Sequence, residues 1–130
     1  MAEKILAVDD DPDILDALTL IPESKGYEVT GARNGLEALE RLKQKRPDLL
    51  ILDLLMPKMD GFEVYKKLHQ PEWSGFKGIP VLILTSVRED ASRRRYELET
   101  KEKLEVDDYL EKPFLPEVLL QRVEKLIKKK

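Results

Sequence analysis

"KILAVDDDPD", residues 4–13, runs from continuous apolar positions straight into acid. Ile5, Leu6, Ala7 and Val8 in succession suit a strand buried on both faces, as in a parallel sheet covered by helices. The aspartates that follow divide into two groups. Asp11 precedes Pro12, which places it as the N-cap of a helix with Pro12 at the first position and Asp13 in the first turn. Asp9 and Asp10 are surplus to that need. Adjacent carboxylates repel one another, and each contact raises a pKa or demands a cation.

Working outward, two more continuous apolar runs occupy residues 49–52 and 81–84. "YEVTGA" (27–32) alternates, as a half-exposed edge strand would, and "YLEK" (109–112) is short and edge-like. Helical periodicity fills the gaps. Ile14, Leu18 and Ile21 share one face, and Leu36, Leu39 and Leu42 share another. Leu115, Val118, Leu119, Val123, Leu126 and Ile127 form an apolar stripe. Residues 61–68 and the highly charged 88–104 are weaker helical candidates. Pro22 falls within the first helix and predicts an early end or a kink. "HQPEWSGFKGIP" (69–80) reads as a surface loop. Strand and helix alternate five times, which predicts one α/β domain with a doubly wound, five-stranded parallel sheet. With the edge-like strands outermost, the order is 2-1-3-4-5 and the crevice lies between strands 1 and 3.

Composition narrows the function. A chain of 130 residues suits a single domain over its whole length, 1–130. Without cysteine there is no thiolate metal site, disulfide or thiol redox chemistry. A net charge of −3 gives no basis for direct nucleic-acid binding. No apolar run approaches the roughly 20 residues of a membrane span, and the start of the chain lacks a signal peptide's apolar region. A cytoplasmic protein is expected. Lys128, Lys129 and Lys130 suit a helix C-terminus.

In a parallel sheet the strand ends converge. Strand 1 ends in Asp9 and Asp10, strand 3 in Asp53, strand 4 in Thr85 and Ser86, and strand 5 in Lys112. Asp9 and Asp10 alone also fit a solvated acidic loop. Asp53 directly after "LLIL" tips the reading toward a shared cation, and a few carboxylates with water and phosphate describe a Mg²⁺ site. Pro113 after Lys112 adds an X-Pro bond that can lock the strand end, in cis if need be. Asp60 in "MPKMDGF" reads as an N-cap, with Gly61 in the first turn of the next helix.

"AVDDDPDI", "LLILDLLMPKMDGFEV", "VLILTS" and "DDYLEKPF" strongly resemble response-regulator receiver domains, of the chemotaxis-regulator type, from bacterial and archaeal two-component signalling. The resemblance covers nearly the whole chain and implies a flavodoxin-like (βα)5 fold and a phosphorylatable switch. It implies a sensor histidine kinase or histidine phosphotransfer protein as phosphoryl donor, with a small acyl phosphate as a substitute. By the same resemblance Asp53 is the phosphoacceptor. Asp10 binds Mg²⁺ (or Mn²⁺) directly, Asp9 largely through water, and the Leu55 carbonyl is a further ligand. Thr85 hydrogen-bonds the phosphoryl group, Lys112 pairs with it, and Tyr109 is the aromatic that changes position. Downstream, the resemblance implies a partner protein or output domain, and a phosphorylation-dependent homodimer through the strand 5 face.

Physical chemistry supports these roles. A carboxylate is a weak nucleophile and has the wrong sign to approach a phosphoryl group, so neighbouring cations must supply what it lacks. Leu55 and Val87, two positions beyond Asp53 and Thr85, are apolar and cannot orient an attacking water, which predicts slow self-dephosphorylation. His69, the only histidine, fits no relay role. Arg93, Arg94 and Arg95 suit a solvated or partner-binding face.

Three rival readings are weaker. Aspartate-nucleophile phosphatases need a second acid where Leu55 stands. A flavin protein wants a phosphate-cradling loop where "DDDPD" would repel one, and neither GxGxxG nor a Walker lysine motif occurs. The alternative that remains is a receiver-fold interaction module working without phosphorylation, which would be expected to have lost part of the constellation. Two departures from the family pattern fall near the partner surface. The stretch between Thr85 and Lys112 is longer by a few residues than the family pattern, and "KLEVDDY" lacks the usual Gly-Ala pair.

Overall fold

The computed structural model describes residues 2–56, 58–86 and 107–128. Along them run β1 (Lys4–Val8), α1 (Pro12–Glu23), β2 (Glu28–Ala32), α2 (Gly35–Gln44) and β3 (Leu49–Asp53). α3 (Gly61–Leu68), a short 3₁₀ helix (Pro71–Phe76), β4 (Val81–Thr85), β5 (Asp108–Glu111) and a C-terminal helix (Pro116–Lys128) follow. The strands pair in parallel in the order β2-β1-β3-β4-β5, so the expected flavodoxin-like topology is present. The expected helix over 88–104, the arginines 93–95 and Val87 lie outside the described residues.

The three apolar runs occupy the sheet centre because both of their faces are covered. Alternate residues of β1, β3 and β4 serve two separate cores. Ile5, Ala7, Leu49, Ile51, Leu82 and Leu84 pack with Leu18 of α1 and with Leu119, Val123 and Leu126 of the C-terminal helix. Leu6, Val8, Leu50, Leu52 and Ile83 pack with Ala38 and Leu42 of α2 and with Phe62, Val64 and Tyr65 of α3. All five residues of β3 are buried, and each large apolar side chain so enclosed contributes about 1.5–3 kcal/mol. β2 is the half-exposed edge strand that its alternation predicted.

α1 reaches the buried Pro22 and ends one residue later, at Glu23, which agrees with the early end read from the proline; the ring has no N–H to donate to the Leu18 carbonyl. Two expectations need correction. The predicted surface loop 69–80 contains the 3₁₀ helix, whose Trp73 is only 7 % exposed. Pro71 opens that helix, and the indole needs burial that an open loop would not give. Trp73 packs on Phe76 with ring centroids 5.1 Å apart, while the Arg46 guanidinium donates to the carbonyls of Gly75 and Lys77. Leu36 and Leu115, assigned to apolar faces, are 48 % and 61 % exposed. Leu36 is the second residue of α2, and Leu115 stands one residue before the C-terminal helix begins.

Candidate functional site: an acidic cluster at the carboxyl edge of the sheet

Parallel pairing carries the strand ends to one edge. Val8 lies opposite Leu52 in the β1–β3 ladder, so Asp9 and Asp53 are neighbours. Asp9 is fully buried and Asp53 is 1 % exposed, whereas Asp10 faces solvent. Carboxylate oxygens of Asp9, Asp10 and Asp53 all lie within 4.8 Å of one another. Lys112 brings its Nζ to 3.1 Å from Asp53 Oδ1 and 3.2 Å from Asp9 Oδ2. The end of β5 delivers this lysine: its N–H donates to the Thr85 carbonyl at 2.7 Å, and the Lys112–Pro113 peptide is cis. The sequence reading foresaw Lys112 in the cluster but not that it bridges two aspartates.

Each acid has a distinct environment. Asp9 Oδ1 accepts the Asp11 N–H at 2.9 Å. Its Oδ2 is buried and makes no hydrogen bond, although the Lys112 ammonium is beside it. Burial pushes the Asp9 carboxyl above the ordinary carboxylate range, outweighing the Asp11 N–H and Lys112, and the Asp10 charge adds to the rise. Asp11 is the N-cap, accepting from Asp13 and Ile14, with Pro12 beginning α1 as read from the sequence. Three carboxylates and one ammonium leave two negative charges, and Asp9 has an oxygen without a hydrogen-bonding partner. A divalent cation fits both the charge and that oxygen.

Thr85 ends β4 and is 7 % exposed. Thr85 lies opposite Glu111 and Ile83 opposite Tyr109, so strand alternation puts Thr85 and Tyr109 on the same face of the sheet as diagonal neighbours. Tyr109 is half-buried against the α2–α3 core. The structure therefore brings together Asp9, Asp10, Asp53 and Lys112, with Thr85 on the adjoining strand end.

Other supporting groups were missed in the sequence. Asp60 caps α3 through the Glu63 N–H, as expected, but Gly61 does more than sit in a first turn. Its N–H donates to the Leu54 carbonyl at 2.9 Å, and a Cβ there would fall on the Asp53 carbonyl oxygen. Gly61 thus lets α3 start against the backbone of the buried acid. The dipeptides "NG" (34–35) and "DG" (60–61), each opening a helix, were the available signal. Arg122 donates to the Tyr109 carbonyl at 2.6 Å and to Asp108, tying the C-terminal helix to β5; nothing in the sequence marked it.

Residues 5–124 match the family model of the response regulator receiver domain. The chain belongs to that family. It is 40% identical over 126 residues to the response regulator MprA of Mycobacterium leprae, covering 97% of this chain and 51% of the relative. It is 36% identical to the alkaline phosphatase synthesis transcriptional regulatory protein PhoP of Bacillus subtilis, covering 99% and 50%. The chain thus spans about half the length of these curated relatives. Among solved structures, the chemotaxis response regulator CheY4 of Vibrio cholerae superposes with a TM-score of 0.81 at 32% identity, covering 97% of this chain and 99% of that one. Among the described residues no helix is long and apolar enough to cross a membrane.

Proposed function

We propose that this receiver domain, taken as the whole of residues 1–130, is a cytoplasmic phosphoacceptor switch. In this reading Asp53 takes a phosphoryl group, in a Mg²⁺-dependent reaction, from a phosphohistidine on a sensor histidine kinase or a histidine phosphotransfer protein. The observation that carries the proposal is the convergence of Asp9, Asp10 and Asp53 within 4.8 Å, with Lys112 3.1 Å from Asp53.

An Asp53 carboxylate oxygen attacks phosphorus, the P–N bond of the donor breaks, and the imidazole nitrogen leaves with the electron pair. Such transfers depend on positioning and charge neutralisation more than on covalent help from the protein. Lys112, already on Asp53 Oδ1, offsets the charge of the nucleophile and then pairs with the phosphoryl oxygens. Asp9, Asp10, Asp53 and the Leu55 carbonyl would hold Mg²⁺ (or Mn²⁺), which when bound supplies positive charge to the phosphoryl oxygens. Thr85 donates its hydroxyl to one of those oxygens. Its movement frees space on its own face of the sheet, into which Tyr109 turns. The phosphoryl group need only favour one of two packings by a few kcal/mol to alter the surface around β5. That surface would engage a downstream protein or an output domain, a second copy of the chain included.

Intact mass after incubation with a small acyl phosphate tests the reading. One phosphoryl group gained by wild type with Mg²⁺, and by neither Mg²⁺-free protein nor Asp53→Asn, is the expected result. No gain from that reagent or from a phosphohistidine donor would leave an interaction module that works without phosphorylation.

A further inference from the structure

Asp9 and the loop between β3 and α3 reach the acidic cluster from different sides, and one short turn touches both. The turn joins β2 to α2 and spans residues 32–35. At one end, the Ala32 carbonyl accepts the Asp9 N–H at 3.1 Å. At the other, the Gly35 N–H donates to the Met59 carbonyl at 2.8 Å. No residue of this turn belongs to the cluster itself.

The turn is built to hold its shape. Asn34 is 6 % exposed, and its side chain accepts the Glu37 N–H at 2.9 Å as the N-cap of α2. The Glu37 carboxylate reaches back to the Arg33 N–H at 3.1 Å, so the two ends of the turn are tied reciprocally. Gly35 meets Met59 with no space to spare. A Cβ at position 35 would overlap the Met59 carbonyl oxygen and lie 2.7 Å from Cγ and 2.8 Å from Cβ of that residue. Real Cβ atoms do not approach so closely, so Met59 would have to move.

Met59 is not free to move alone. Its loop is closed at the base by the Gly61 N–H on the Leu54 carbonyl, and Lys58 beside it holds a left-handed φ of 67°. Leu54 and Gly61 thus bracket the stretch that holds both Leu55 and Met59. We infer that a displacement of Met59 is passed to Leu55, and that the 32–35 turn is a brace that sets the distance between the Asp9 and Leu55 sides of the metal site, with Gly35 as its positioning residue. The inference rests on the Mg²⁺ reading above and adds to it an element that contributes no ligand.

Calorimetric titration of Mg²⁺ into the full chain tests the brace. Far-ultraviolet circular dichroism and Trp73 fluorescence report that each variant is folded. Gly35→Ala is expected to weaken Mg²⁺ binding about tenfold or more, the scale on which supporting residues act at metal sites. Asn34→Ala loosens the turn without a clash and is expected to weaken it less. Gly31→Ala is the control, because the nearest atoms to a Cβ there are those of the Leu15 side chain, at 3.4 Å and beyond. It should bind Mg²⁺ as wild type does. Folded Gly35→Ala with wild-type affinity would overturn the brace, whatever its melting temperature. If Gly35→Ala does not fold, Asn34→Ala decides: weakened binding supports the brace and wild-type binding overturns it. Wild type that binds no Mg²⁺ would instead overturn the functional reading, and the brace with it.

Discussion

Asp53 and Asp9 are buried acids with the Lys112 ammonium beside both, and the proposed function rests on that imbalance. Their places at one edge of the sheet were legible in the sequence because each stands at the end of an apolar strand. Thr85 was legible for the same reason, and its coupling to Tyr109 can now be tested. Thr85→Ala should still be phosphorylated at Asp53, yet the change in the Tyr109 ring signal on phosphorylation, followed by NMR, should shrink to a small fraction of the wild-type change. A wild-type response would show that Tyr109 moves without Thr85. Leu55, half-exposed after the acidic end of β3, concerns lifetime. Leu55→Asn supplies an amide able to orient water, and the aspartyl phosphate should decay about tenfold faster, equivalent to ~1.4 kcal/mol of barrier. An unchanged decay would mean that this position does not face the attacking water.

At the scale of elements, helix starts do much of the positioning. Asp11, Asn34 and Asp60 each cap a helix whose first turn touches the site or its supports. The caps could be read from "DDP", "NG" and "DG", but what each helix start presses against could not, because those contacts join residues far apart in the chain. Trp73 was hidden for a related reason: turn-forming neighbours masked an indole that joins the core formed by α2, α3 and one face of the sheet. Asp60 gives a pH prediction. Burial pushes its carboxyl above the ordinary value of 3.8, against the pull of the Glu63 N–H it caps. The native state therefore keeps this proton longer than the unfolded chain does. Stability from that proton is complete below the unfolded pKa and is lost as pH rises through the folded one. Asp60→Asn keeps a capping oxygen and removes the charge. Its urea midpoint relative to wild type should rise from acid to neutral pH, and a fall would contradict the assignment.

At the scale of the whole molecule, two cores clamp one sheet, and the sheet gathers distant acids at its carboxyl edge. This much was visible in the alternation of continuous apolar runs with helical stripes, since both-face burial leaves no other economical arrangement. Gathering charge in this way opposes folding unless a cation is present. Mg²⁺ binding to the native cluster should therefore raise the melting temperature of wild type, by about 2.7 kcal/mol of stability at one hundred times the dissociation constant. Chelation should reverse the rise, and Asp9→Asn should show much less of it. An equal rise in Asp9→Asn would place the ion elsewhere.

Because Asp9 and Asp10 lie beside Asp53 in space and Asp11 follows them in the chain, the most direct test is which carboxylate takes the phosphoryl group. After incubation with an acyl phosphate and Mg²⁺, borohydride reduces an aspartyl phosphate to homoserine, which peptide mass spectrometry locates. Homoserine at position 53 alone is the predicted result. Homoserine at position 9, 10 or 11, or at none, would contradict it.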